Sequence, residues 1–136
     1  MSFCIKMLLV LGFMSLFHRA NAQLDTLNYL KQFEANKAQY INQPFSYLLG
    51  QMTQIQPKTV WPNTYIKNKN IVKSSIFNFC SKDYSFKNAI SLVITWEEFI
   101  PRTQVKYYET KNHFYFTDEE KVFYGNKIVK DIIVYR

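Results

Sequence analysis

An α+β fold, with two N-terminal helices packed on one face of an antiparallel sheet of four to six strands and one short helix before the last strand, is predicted by three features. The stretch Ala89 to Trp96 alternates with a period of two. Ile90, Leu92, Ile94 and Trp96 fall on one face and Ala89, Ser91, Val93 and Thr95 on the other, the pattern of a half-buried strand at the centre of a sheet. From Leu24 an apolar stripe at helical spacing supplies a layer to cover that sheet. Near the other end, Thr117-Asp118-Glu119-Glu120 carries the signature of a helix start. Helices segregated from a run of strands indicate α+β and not a parallel βαβ arrangement.

The first residues read as an export signal. Lys6 gives a short basic region, Met7 to Phe17 is apolar, and Ala20-Asn21-Ala22 offers the small residues that a signal peptidase reads. Eleven apolar residues are too few to span a hydrocarbon core, which takes about 20. Residues 1–22 are therefore expected to be a signal peptide and residues 23–136 one domain, exported to a bacterial periplasm or the extracellular space. No transmembrane segment is expected after cleavage. Cys80 is then the sole cysteine, so no internal disulfide is expected, and it reads as a small buried hydrophobe at a strand end.

Leu27, Leu30, Phe33, Ala38, Tyr40 and Ile41 gather on one side of a helical wheel. They predict a helix of about four turns with Asp25 or Thr26 as N-cap and Glu34 placed to pair with Lys37. Pro44 is tolerated at a first helical position, and Phe45, Leu48, Leu49 and Met52 continue a second, short helix that Gly50 ends or weakens. The stretch Tyr40-Ile41-Asn42-Gln43-Pro44-Phe45-Ser46-Tyr47-Leu48-Leu49 resembles one found in small exported bacterial proteins of no assigned function. The resemblance is confined to residues 40–49, carries no chemistry and implies nothing about activity.

Pro57 to Pro62 is fit only for an edge strand, because proline has no N–H for a ladder. Lys67-Asn68-Lys69-Asn70 reads as a loop and Ile71 to Cys80 as a strand. Phe99-Ile100-Pro101-Arg102 turns the chain. Gln104 to Glu109 and His113 to Phe116 then form an aromatic hairpin, with two or three residues in its loop. The capped helix from Thr117 ends at Gly125, where a left-handed residue is expected, and Ile128 to Tyr135 is a well-buried final strand.

Composition excludes more than it indicates. Without Lys6 and Arg19 the chain holds 15 basic and 10 acidic residues, a net charge of +5, and 13 of the basic residues are lysine, a bias that an AT-rich genome supplies freely. Only Gly50 and Gly125 remain as glycines, and no phosphate-cradling, nucleophile-elbow or paired-cysteine motif occurs, so no nucleotide cofactor is expected. His113 and Cys80 are too few strong ligands for zinc, and no metal site is expected. Glu97 and Glu98 are adjacent on a strand and cannot flank one bond.

Two candidate sites remain. With a three-residue loop the hairpin places Glu109, His113, Tyr107 and Tyr115 on one face, and with a two-residue loop Thr110 and Tyr108 stand beside His113 and Tyr115 instead. Either set could do acid–base work, and Trp96 would line an aromatic ligand-binding cavity with Tyr107 and Tyr115. Lys67, Lys69, Lys73, Lys82 and Lys87, interleaved with Tyr65 and Tyr84, would form an anion-binding patch. The leading expectation is a small exported, non-catalytic binding or protein-interaction domain of the cell envelope, with an envelope protein as partner and no nucleic acid. Aromatic residues make up 18% of the chain, and Tyr and Trp are enriched at interfaces. The alternatives are a small-ligand pocket or simple acid–base enzyme built on an aromatic cavity, and an electrostatic binder of an anionic envelope polymer.

Overall fold

A computed structural model describes residues 24–136; the expected signal peptide lies outside them. Four helices and four antiparallel strands make up an α+β fold: α1 (Thr26–Ala35), α2 (Phe45–Gln51), β1 (Thr59–Tyr65), β2 (Asn68–Asn78), β3 (Ser91–Pro101), α3 (Arg102–Asn112), α4 (Asp118–Gly125) and β4 (Val129–Tyr135). The strands lie in the order β1-β2-β3-β4. β3 is interior, as its alternation predicts, and Leu92, Ile94 and Trp96 are buried against β2 and β4 residues of the same face. The core on that face joins Phe77, Leu92, Ile132 and Val134 from the sheet to Phe45 and Leu48 of α2, Val105 of α3 and Tyr124 of α4. Phe45 contacts both Phe77 and Trp96, with ring centroids 4.9 and 5.4 Å apart, and Trp96 stacks on Tyr124 at 5.7 Å.

The N-terminal helix is shorter than its stripe predicts. Asp25 caps α1 through Asn28, the helix stops at Ala35, and a 3-10 turn at Lys37–Gln39 follows. The expected Glu34–Lys37 pair does not form. Glu34 meets Lys31 at 3.1 Å and accepts from the backbone N–H of Val134, while Lys37 reaches Asp131 at 2.8 Å. Both carboxylates are held below their ordinary range, Glu34 first by the Val134 N–H and Asp131 first by Lys37.

Those contacts close one sheet edge. An edge strand presents unpaired backbone groups on which other chains can add. On β4 these are met by Glu34, by Asn42 N–H donating to Val129 O and by Gln43 O accepting from Val129 N–H, and just before the strand Phe45 N–H donates to Lys127 O. At the other edge, Val60 N–H donates to Phe114 O and Phe116 N–H to Lys58 O, so residues 114–116 run along β1, where Pro62 sits as predicted for an edge.

The largest correction falls at residues 102–112. No aromatic hairpin forms; the segment is α3, beginning directly after Pro101 and ending at His113 with φ 54°. Its inward side carries Val105 and an ion pair, Arg102 Nη2 to Glu109 Oε2 at 2.9 Å, so the apolar periodicity of a helix is missing. The hairpin lies earlier: only Ile66 and Lys67 separate β1 from β2, and Asn68 to Asn70 belong to the strand, not to a loop. Gly125 has no positive φ. It is the last residue of α4 and lies against Ser46 of α2, where an added Cβ would come within 3.3 Å of the Ser46 Cβ. β4 buries one face and exposes Ile133 and Tyr135 on the other, because it borders the sheet.

Candidate functional site

The pairing register fixes what the second face of the sheet presents. Trp61 pairs with Ile76, Ile76 with Val93, and Val93 with Ile133, which makes one apolar row across all four strands. Thr59, Asn78, Ser91 and Tyr135 form the row beside it. Helices α2, α3 and α4 contribute to the core on the opposite face, and Ile133 and Tyr135 are 45% and 46% exposed. Trp61 is sandwiched: Phe114 stacks on it at 4.3 Å and Phe86 meets it at 4.9 Å, itself 79% exposed.

Between this face and the segment from Ser85 to Ala89 lies a hollow of about 270 Å³, walled by Trp61, Ile76, Phe86, Tyr135 and Arg136. That is smaller than the roughly 300–1,000 Å³ of ordinary small-molecule pockets and suits a single protruding side chain. Its floor is organised by Asn78, whose amide donates to Ile90 O at 3.1 Å and Ser91 Oγ at 2.9 Å. The Trp61 indole N–H is buried with no acceptor among the described residues. A partly exposed apolar row that includes Trp61, next to Tyr135 and Arg136, has the composition of interface hot spots.

The lysines expected as one patch occupy opposite ends of β2. Lys67 and Lys69 are at the β1–β2 hairpin tip and Lys73 lies 5.9 Å from the Tyr65 ring centroid. Lys82 and Lys87 follow the far end of the strand, over the rings of Phe114 and Tyr84 at 5.4 and 6.0 Å. The strand is eleven residues long, about 3.3 Å each, with Lys69 near one end, Lys73 in its middle and Lys82 and Lys87 beyond the other end.

The five expected ligand-binding residues are not brought together. Trp96 is 1% exposed, and its indole donates to Ser75 Oγ at 3.0 Å. Tyr107 is 57% exposed on the outward side of α3, beside an open hollow of about 600 Å³ walled by Thr103, Lys106, Thr110 and Lys111 of the same helix. Glu109 is buried with Arg102, His113 is exposed at the end of α3, and Tyr115 lies on the segment along β1. Trp96, Tyr107 and Tyr115 therefore do not wall a common cavity. Cys80 is half-buried and free, just past β2.

A buried polar cluster takes the place of the expected site. Glu120 completes the capping box by accepting from Thr117 N–H at 3.0 Å, yet burial outweighs that bond and pushes its carboxyl up to about 7. Tyr124, on the next turn of α4, is pushed up by burial and by Glu120 and Glu109, with Ser75 near its hydroxyl. Arg102 Nη1 and Glu109 Oε1 are buried without partners among the described residues. The cluster ties α3 and α4 to the sheet. Among the described residues no group of three or more His, Cys, Asp or Glu is placed to hold a metal ion, and no helix is long and apolar enough to cross a membrane.

No protein-family model, curated protein or solved structure matches the chain.

Proposed function

We propose that this chain is a small exported binding domain of the bacterial cell envelope, that it recognises another protein without catalysing a reaction, and that it does so through the outer face of its sheet. The observation that carries the reading is the apolar row Trp61, Ile76, Val93 and Ile133, half-buried at the first three and exposed at Ile133, with exposed Phe86 and Tyr135 beside it. Backbone contacts along β4 and at the Lys58–Val60 start of β1 shorten the free sheet edge, which favours a partner seated on the face over one that adds as a strand. The acid–base alternative is weaker because its residues are dispersed between core, helix surface and sheet edge.

Two experiments test the two halves of the proposal. N-terminal sequencing of the protein recovered from its own envelope is expected to begin at Gln23; a start at Met1 would contradict processing. Affinity capture from an envelope extract is then washed at low and high salt, since attraction between exposed charges is screened over about 10 Å at 0.1 M while apolar contact persists. One protein retained at high salt is the expected result. Broad capture removed by salt would favour the anionic-polymer reading, and no capture would favour the pocket.

A further inference from the structure

We propose that the β1–β2 hairpin tip is a docking point for an anionic lipid surface. The arm projects beyond the sheet: β3 pairs with β2 no further than Ile71 opposite Pro101, so Tyr65 to Asn70 extend past it by about 10 Å at the usual strand rise. At its end Ile66 is 94% exposed, in a turn too tight to fold that side chain back on the sheet. Behind it Tyr65 stacks on half-exposed Phe99, with ring centroids 5.4 Å apart, and Lys73 lies against the Tyr65 ring.

Lys67 and Lys69 flank the tip, and Tyr65 to Asn70 contain no acid; the nearest in sequence pairing are Glu97 and Glu98, in the irregular stretch of β3 opposite Lys73. The composition separates this end from the outer sheet face. Protein interfaces favour Trp, Tyr and Arg and are depleted in Lys, whereas the tip offers an isoleucine among lysines and asparagines. Lysine suits a headgroup layer, because its stem follows the apolar side chain inward while the ammonium stays among the phosphates. One large apolar side chain and a few lysines make a weak, reversible contact, comparable to one of the two signals that stable anchoring needs.

The test is co-sedimentation of the exported form with vesicles of equal parts phosphatidylglycerol and phosphatidylcholine, and with vesicles of phosphatidylcholine alone. Binding is expected on the anionic vesicles only and is expected to weaken with salt. Ile66→Asp, and separately the double variant Lys67→Glu/Lys69→Glu, should each reduce it by about tenfold or more, all three positions being exposed and outside the core. Lys82→Glu/Lys87→Glu, of equal charge change at the far end of β2, should leave it within about twofold.

Equal loss in the Lys82/Lys87 variant would mean attraction by overall charge and would overturn the proposal, as would retention by Ile66→Asp. So would absence of binding to anionic vesicles; if Ile66→Asp then removed a captured protein, the tip would be a protein contact instead. Ile66, Lys67 and Lys69 lie at the hairpin tip, away from the hollow of the outer sheet face, so loss of vesicle binding in their variants leaves the reading of that face untouched.

Discussion

Trp96 illustrates what one buried polar atom demands of its surroundings. The ring fills the core, and Ser75, fully buried on the neighbouring strand, supplies the acceptor its indole needs. Ser75→Ala should therefore destabilise the fold by about 1–3 kcal/mol, the cost of an orphaned buried donor, measured by urea unfolding. His113 and Phe114 are a second case: both have positive φ, 54° and 69°, which costs a side-chain-bearing residue about 1–2 kcal/mol. His113→Gly is expected to raise the unfolding midpoint; a fall would mean that the imidazole makes a contact worth more than the backbone strain. Glu120 sets a pH dependence. Its folded carboxyl, near 7 instead of 4.5, holds a proton that the unfolded chain releases, so this group favours folding increasingly as pH falls from about 7 towards 4.5. Glu34 and Asp131 act in the opposite sense, and their contribution is lost as pH falls further, through their lowered values. Urea midpoints should thus be higher at about pH 5.5 than at about pH 7.5, and Glu120→Gln should flatten that slope.

At the scale of elements, the parts legible in the sequence are those whose stabilisation is apolar and local. β3 shows in its alternation, and α4 in a capping box whose residues all perform their reciprocal bonds. Helix α3 was hidden because its inward side is Val105 plus the Arg102–Glu109 pair, while its Tyr107-Tyr108 dipeptide favours a strand by propensity. The helical spacing of Arg102, Val105 and Glu109 after Pro101 was the available signal, but it becomes readable only when a charge pair is allowed to face inward. Breaking that pair tests its role. Glu109→Ala strands the partly buried Arg102 guanidinium and should cost about 2–4 kcal/mol, whereas Arg102→Met/Glu109→Leu should recover most of the loss. Equal destabilisation by the single and double variants would show that the ion pair, and not relief of an unpaired charge, holds α3 in place.

For the molecule as a whole, sequence patterning located the core face but could not say whether the second face was covered. Ile132-Ile133-Val134 reads as buried on both sides; only β4's place at the sheet border, with the helices packed on one face, leaves Ile133 and Tyr135 open. Phe86, from the connection between β2 and β3, joins them through Trp61, a contact no local pattern encodes. The central claim is that this face binds a protein. It is tested most directly by repeating the envelope capture with Phe86→Asp/Ile133→Asp, two exposed positions outside the core, after circular dichroism shows an unchanged fold. A protein held by the natural chain at high salt and lost from the double variant is the predicted result; the same protein held equally by both would contradict it.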